Sequence, residues 1–158
     1  MANTYTQIHY QCVIVVKYRD AVIHDSWRDQ LCAYITGILQ SFGHKMLQIN
    51  GVEDHLHFVF GMRPKQALSA LLAIIKANST NWINENKFVR GKFAWQPGYA
   101  AFTYSKRELP QVITYIKNQK EHHKKRTFRE EYELLLARHE VDYKEEYLFH
   151  EPKEREKS

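Results

Sequence analysis

The sequence predicts an α+β fold of the ferredoxin-like kind, in which the order strand, helix, strand, strand, helix, strand builds one antiparallel sheet with helices on one face. Three observations lead to this prediction. A long strand-like segment opens the chain, two later stretches have the apolar spacing of amphipathic helices, and two strand-like segments lie between those helices. We expect two more helices to follow the last strand.

The first two elements are a strand and a helix. Thr6 to Arg19 is rich in β-branched and aromatic residues without a breaker, which is typical of a strand inside a sheet. From Asp25 or Ser26, either of which suits a helix N-cap, apolar residues recur at helical spacing until Gly43 ends the pattern. The apolar positions are Trp27, Leu31, Tyr34, Ile35, Ile38, Leu39 and Phe42.

The middle of the chain predicts a hairpin. Residues 45–50 and 54–61 suit two strands, and Asn50-Gly51 is a common turn dipeptide. Both faces of the second strand are apolar beyond its histidines, which is typical of a central strand.

Two histidines in that second strand are the strongest candidates for a functional site. Successive side chains of a strand point to opposite faces, so His55 and His57 share one face with their imidazoles close together. One interpretation is a pair of core histidines with local hydrogen bonds. The other is a pair of metal ligands, since imidazole is the commonest metal ligand and the strand orients two of them in advance.

A second helix and an aromatic segment complete the predicted sheet. The helix starts at Pro64 and ends near Asn86, with an apolar stripe at Leu68, Leu71, Leu72, Ile75 and Trp82. Residues 88–105 mix aromatic and basic side chains, and their second half suits the last strand. The mixture favours either a surface that stacks bases and follows phosphates or an ordinary aromatic edge of the core. Candidate DNA contacts here are Lys92, Trp95 and Tyr99.

Residues 108–122 predict a third helix, and the polar residues beside its apolar face could take part in chemistry. Tyr115, Gln119 and His122 recur at helical spacing beside the apolar face. A protonated phenol is a weak nucleophile, so Tyr115 would attack a phosphodiester only beside a cation or a base. Gln119 could supply a third, carbonyl ligand to the two imidazoles, a set that suits Mg²⁺ or Mn²⁺ and leaves positions for phosphate oxygens. The alternative is a tyrosine at the edge of an amphipathic helix.

A basic run and a capped helix follow. His122, Lys124, Lys125 and Arg126 are candidate contacts to a DNA backbone, although such runs also occur as solvated helix ends. Thr127, with glutamate three residues later, predicts the start of a last helix that ends near His139. We expect residues 1–150 to form one domain and residues 151–158 to form a charged, flexible tail.

Composition narrows the functional class. The net charge of +5 and the pI near 9.1 favour a polyanionic partner. Cys12 and Cys32 have neither disulfide nor zinc spacing, so we expect a reducing, cytoplasmic compartment. The apolar run at residues 13–16 is far shorter than the ~20 residues that cross a bilayer, so we expect a soluble protein without a membrane partner.

Several segments resemble a known family. His55-Leu56-His57 resembles the HUH motif (histidine, hydrophobic, histidine). Tyr115-Ile116-Lys117-Asn118-Gln119 resembles the tyrosine helix of the single-tyrosine HUH transposases of bacterial insertion sequences, the IS-two-hundred type. Residues 76–79, 94–99 and 127–132 are also similar to family segments. Ala100 departs from the glycine expected after the tyrosine of the Trp-Gln-x-Gly-Tyr motif, which lies at Trp95 to Tyr99.

The resemblance implies a metal-dependent DNA transposase. Tyr115 would attack a single-stranded DNA phosphodiester, form a 5′-phosphotyrosine bond and free a 3′-hydroxyl, and another strand's 3′-hydroxyl would then resolve that bond. His55, His57 and Gln119 would hold Mg²⁺ or Mn²⁺. The resemblance further implies a homodimer and recognition of DNA hairpins. Similar domesticated proteins act on repeated extragenic palindromes, and the sequence leaves both roles open.

Two other functions compete with this one. A ferredoxin-like module could bind nucleic acid on its sheet without chemistry, and it would need no metal. An HUH nickase of the replication-initiator or relaxase kind would cut without joining. The short chain and the lack of a second tyrosine near Tyr115 disfavour the nickase.

Overall fold

One four-stranded antiparallel sheet organises the computed structural model, which describes residues 4–149. The strands are β1 (His9–Val15), β2 (Lys45–Val52), β3 (His55–Gly61) and β4 (Ala100–Thr103). Their order across the sheet is β2-β3-β1-β4, and every neighbouring pair is antiparallel. The predicted ferredoxin-like fold is therefore confirmed, with β3 inside the sheet.

Within the described part of the chain, five helices cover the two faces of this sheet. They are α1 (Asp25–Ser41), α2 (Leu68–Glu85), α3 (Leu109–Lys117), α4 (Gln119–His123) and α5 (Phe128–Arg138). On one face, Leu56, Phe58 and Phe60 of β3 pack with the apolar stripes of α1 and α2 in the main core. These three side chains are fully buried, and each such burial contributes about 1.5–3 kcal/mol to folding.

The opposite face carries the histidines and two smaller apolar clusters. Val59 packs with α3, while Val13 and Val15 of β1 pack with α5. Because α3 and α5 lie on either side of the histidine positions, the tyrosine helix and the last helix enclose this part of β3.

The β2–β3 turn lies at Glu53 and Asp54, so the turn predicted at Asn50-Gly51 is wrong. Both predicted turn residues belong to β2, where Gly51 pairs with Leu56. A Cβ atom on Gly51 would lie 2.2 Å from the carbonyl oxygen of His55. Glycine is needed here for the close approach of the two strands, since no side chain fits that gap.

Several predicted boundaries also move. The first strand ends at Val15, well before Arg19, because Tyr18 and Arg19 have positive φ angles of 62° and 52° that end the extended backbone. The cap of α1 is His24 in place of Asp25 or Ser26, and α2 begins at Leu68, after a turn at Pro64.

The predicted third helix is split, while the predicted cap of the last helix is present. Asn118, with φ −102° and ψ 31°, separates α3 from α4. Thr127 caps α5 by accepting a hydrogen bond from the backbone nitrogen of Glu130 at 3.2 Å.

The tail predicted at residues 151–158 and the domain end predicted at residue 150 lie outside the described residues. Within residues 4–149, the structure contains no helix of the length and apolarity that crossing a membrane requires.

Candidate active site

His55 and His57 lie side by side on β3, fully buried, with ring centroids 5.0 Å apart. Each ring is held through its Nδ1 atom. His55 Nδ1 lies 2.7 Å from Oδ1 of Asp54, and His57 Nδ1 lies 3.1 Å from Nε2 of Gln11. The Nε2 atoms of both rings therefore remain directed at the same neighbour, Glu131 of α5.

Glu131 completes a group of three potential metal ligands. Its Oε1 lies 2.6 Å from Nε2 of His57 and 3.9 Å from Nε2 of His55, and it is only 3% exposed. One ligand atom from each residue lies within 4.8 Å of the others. Two imidazoles and a carboxylate are a donor set that fits a divalent cation.

The charge state of this group follows from its burial and its contacts. Burial raises the pKa of Glu131, but the hydrogen bond with His57 and the charges of both histidines outweigh it and lower that pKa to about 2. Burial lowers the pKa of His55, against the opposing effect of Asp54. The site therefore contains an ionised carboxylate facing two imidazoles.

The sequence analysis did not identify Glu131 as a site residue. It lies on the buried face of α5, which also carries Phe128, Tyr132 and Leu135. A lone carboxylate on an apolar helical stripe is the signal that could have identified it, since buried carboxylates need a partner.

Tyr115 lies beside the histidines of its own chain. Its ring centroid is 5.9 Å from that of His57, with the two planes nearly perpendicular. Burial, the charge of Glu131 and a hydrogen bond with the Glu131 side chain all raise the pKa of the phenol. Tyr115 is therefore a protonated phenol held against the carboxylate.

Gln119 is also brought to this region, at the first position of α4. Its Nε2 donates to the backbone carbonyl oxygen of Tyr115 at 3.4 Å. Its Oε1 is buried and has no hydrogen-bond partner among the described residues. An unpartnered buried oxygen costs about 1–3 kcal/mol, and a bound cation would satisfy it. Gln119 thus offers a buried carbonyl oxygen beside Tyr115.

Two local features hold the ends of the tyrosine helix. Ser105 and Glu108 form a capping box before α3. At the other end, the Asn50 side chain of β2 donates to the backbone carbonyl oxygen of Lys117 at 3.0 Å. The second contact ties the end of α3, two residues after Tyr115, to β2.

The predicted DNA contacts fall into two groups. Lys92, Tyr99, Lys124, Lys125 and Arg126 are exposed, and the half-buried His122 ring lies 4.7 Å from the Tyr115 ring. Trp95 is buried in the main core, 6% exposed, and its Nε1 donates to Oγ of Ser79 at 2.9 Å. The Trp95 ring therefore presents no surface on which a base could stack.

A cavity of about 460 Å³ opens next to Tyr115 and Glu131. Arg126 and Arg138 contribute positive charge to its walls, and Glu108 and Glu131 contribute negative charge. The cavity thus opens beside Tyr115 and Glu131 and has two guanidinium groups in its wall that could contact a phosphate.

Comparisons of the sequence with known proteins agree with this architecture. Residues 4–119 match the family model described as "Transposase IS200 like". The ISDra2 transposase TnpA of Deinococcus radiodurans is 25% identical over 118 residues, which are 72% of this chain and 84% of the relative. The transposase of insertion sequence element IS200 from Salmonella typhimurium is 25% identical over 129 residues, which are 78% of this chain and 84% of the relative.

Two solved structures share the fold. A crystal structure described as a transposase from Deinococcus radiodurans R1 has a TM-score of 0.61 at 22% identity. The aligned region covers 75% of this chain and 95% of the matched chain. A REP-associated tyrosine transposase bound to a REP hairpin has a TM-score of 0.56 at 12% identity. The aligned region covers 75% of this chain and 70% of the matched chain. Since the family model spans most of the sequence, this chain belongs to the IS200-like transposase family.

Proposed function

We propose that this transposase, acting through residues 1–150 as one domain, cleaves and rejoins single-stranded DNA through a covalent bond to Tyr115. The observation that carries the proposal is the contact of the Tyr115 phenol with Glu131, next to His57, within one chain. A nucleophile beside a candidate cation site has the arrangement that phosphodiester attack requires.

His55, His57, Glu131 and Gln119 are the residues that would hold Mg²⁺ or Mn²⁺. The first three supply ligand atoms within 4.8 Å of one another, and Gln119 supplies a buried oxygen without a partner among the described residues. When bound there, the cation would stabilise the charge that develops on the scissile phosphate. Glu131 adds a negative ligand to the neutral set predicted from the sequence.

Each step at Tyr115 forms one phosphorus–oxygen ester bond and breaks another. The phenol oxygen attacks phosphorus and forms the 5′-phosphotyrosine, the bond from phosphorus to the 3′-oxygen breaks, and the phenol proton ends on that 3′-oxygen. Attack by the 3′-hydroxyl of another strand reverses these changes and joins the ends. One phosphate ester replaces another at each step, so joining needs no ATP.

The strand would reach Tyr115 through the cavity that Arg126 and Arg138 line. Lys92, Tyr99, Lys124 and Lys125 are exposed candidates for contacts outside it, and His122 is a candidate next to Tyr115. We propose DNA hairpins as the recognised element, supported by the structural neighbour bound to a REP hairpin, and a homodimer as the assembly. The excess of positive charge suits this substrate.

Oligonucleotides labelled at either end test this proposal. Incubation of the full chain with Mn²⁺ and single-stranded element ends should give a protein-linked product, seen on a denaturing gel only with the 3′-label. The 5′-labelled strand should give a shortened free product. Binding without any linked product would support a nucleic-acid-binding module, and cleavage that leaves both fragments free would contradict the tyrosine mechanism.

A further inference from the structure

The cavity beside Tyr115 has a mixed lining that suits a nucleobase better than a run of phosphates. The carboxylate of Glu108 lines it together with the guanidinium groups of Arg126 and Arg138. Hydrogen bonds from the backbone nitrogen and the hydroxyl of Ser105 lower the pKa of Glu108, so this carboxylate is ionised at neutral pH. A carboxylate repels phosphate but accepts from the N–H groups of a base, while a guanidinium donates to the ring nitrogens and carbonyl oxygens of a base.

An aromatic pair lies near both kinds of charge. Tyr104 and His139 line the cavity with ring centroids 5.1 Å apart and nearly perpendicular planes. Burial raises the pKa of Tyr104 to about 12, while the charge of Arg138 lowers it and that of Glu108 raises it. Both charges are therefore close to this ring. Aromatic side chains beside donors and acceptors are the means by which proteins hold an unpaired base.

The cavity has the size and the polar groups for one nucleotide. Its volume of about 460 Å³ lies within the range of about 300–1,000 Å³ that is typical of small-molecule pockets. In the part of the chain that the structure describes, the Arg138 side chain has no hydrogen-bond or ion-pair partner. Only Oε1 of the Glu108 carboxylate is used, by Ser105. One guanidinium and one carboxylate oxygen are thus available to a bound base.

The chemistry proposed for Tyr115 decides which nucleotide the cavity would hold. In a phosphoryl transfer the attacking and leaving oxygens lie roughly in line, on opposite sides of phosphorus. The nucleotide that leaves with the 3′-oxygen therefore points away from Tyr115, whereas the nucleotide that stays on the phosphotyrosine can turn back beside the phenol. Because Tyr115 is itself part of the cavity wall, the cavity is placed for the nucleotide that stays.

A second groove borders Tyr115, between Pro110 and His122. None of the residues proposed to hold the cation lines this groove, whereas Glu131 lines the cavity. A phosphate held by that cation would therefore lie next to the cavity, which favours the cavity over the groove for the attached nucleotide.

We propose that this cavity holds the base of the nucleotide that stays bound to Tyr115, and that Glu108 and Arg138 select this base. The inference rests on the proposed cleavage by Tyr115. The 5′-phosphotyrosine must persist after the released strand has left, until another 3′-hydroxyl attacks it. A bound base keeps the attached strand in place for that attack, so the cavity serves both cleavage and joining.

Abasic substrates test the proposal on the wild-type chain. The length of the free 5′-labelled product locates the scissile phosphate, and a second oligonucleotide then lacks only the base of the nucleotide on the 3′ side of that phosphate. With Mn²⁺, the initial rate of linked product should fall about tenfold or more, the usual effect of losing a bidentate contact to a base. Equal rates for the intact and abasic strands would overturn the inference.

Substitutions show whether these side chains contact that base. Arg138→Met should lower the rate about tenfold on the intact strand and cause no further loss on the abasic strand, where the contact is already absent. Glu108→Gln keeps the capping-box acceptor but loses the charge, so it should change which of the four bases reacts fastest at this position. Arg107→Met alters an exposed arginine that does not line the cavity and should behave like wild type on both strands.

Two further outcomes would overturn the inference. One is an equal loss of rate in Arg138→Met on both strands, which would indicate a contact to the DNA backbone, and the other is an unaltered base preference in Glu108→Gln. If the abasic strand gives linked product as fast as the intact strand, the proposed function stands and only the base site fails. If the wild type forms no linked product with the intact strand, the proposed function fails and the base site fails with it.

Discussion

Oε1 of Glu131 lies 2.6 Å from Nε2 of His57, and both side chains are buried. This contact joins the last helix to a central strand and places a carboxylate where the metal site is proposed. In the structure the carboxylate and the imidazole are in contact, and at the proposed metal site both would be ligands.

Glu131→Gln should weaken Mn²⁺ binding at least about tenfold, because it keeps the side-chain shape and removes the negative ligand. Calorimetric titration of the full chain measures this. Glu133→Gln, on the same helix but in a surface pair with Arg129, is the matched control and should bind like wild type. Equal affinities of Glu131→Gln and wild type would remove Glu131 from the metal site.

Without added metal, the ionised carboxylate of Glu131 should stabilise the folded protein at pH values above those at which it titrates. Its pKa falls from the usual 4.5 to about 2 in the folded chain, so its contribution is complete above pH 4.5 and is lost as pH falls towards 2. The difference in free energy of unfolding between wild type and Glu131→Gln should shrink over that window. Urea unfolding at several pH values tests this, and a difference independent of pH would contradict it.

Phe128 should be a major stabilising contact of the last helix. Its ring stacks on His55 at 3.6 Å between centroids and is 4% exposed. Phe128→Ala should lower the free energy of unfolding by about 3–5 kcal/mol, as for other large-to-small core substitutions. Leu134→Ala, at a half-exposed position of α5, should change it by less than about 0.5 kcal/mol. Similar losses in the two variants would show that α5 does not pack on His55.

Gly51 and Gly37 should respond to alanine in opposite ways. Gly51→Ala places a Cβ atom 2.2 Å from the His55 carbonyl oxygen and should destabilise the hairpin, whereas a Cβ atom on Gly37 meets nothing within 4 Å. Gly37→Ala in α1 should raise the free energy of unfolding by about 0.5–1 kcal/mol. Thermal unfolding of both variants checks the signs, and tolerance of alanine at Gly51 would contradict the close approach of β2 and β3.

The sheet and its helices could be predicted from the sequence because the spacing of apolar residues indicates which face of a strand or helix is buried. His55 and His57 occur on one face of β3 as the alternation of a strand requires. Tyr115 comes near them because the apolar face of α3 packs on the same side of the sheet.

Other parts of the site depend on contacts between distant segments, which local patterns do not record. Glu131 and Gln11 reach His57 from α5 and β1. Asn50-Gly51 is a dipeptide typical of turns, but both residues pair with β3 as part of β2. Trp95 has the composition of a stacking residue, but its indole nitrogen bonds Ser79 inside the core. In each case tertiary packing overrides the local preference.

Tyr115→Phe should abolish covalent attachment to labelled single-stranded DNA while leaving noncovalent binding unchanged, because only the nucleophilic oxygen is lost. The exposed Tyr147, which is not among the proposed DNA contacts, supplies the control variant, Tyr147→Phe, which should still form the linked product. A denaturing gel and an equilibrium binding measurement separate the two effects. A linked product from Tyr115→Phe at the wild-type yield would assign the nucleophile to another residue.

The most direct test is to locate the DNA linkage within the protein. After reaction with Mn²⁺ and single-stranded element ends, protease digestion and mass spectrometry should find the nucleotide mass on the peptide that contains Tyr115, joined through a phosphate. Attachment to a different residue, or cleaved DNA with no nucleotide-linked peptide, would contradict the proposed mechanism.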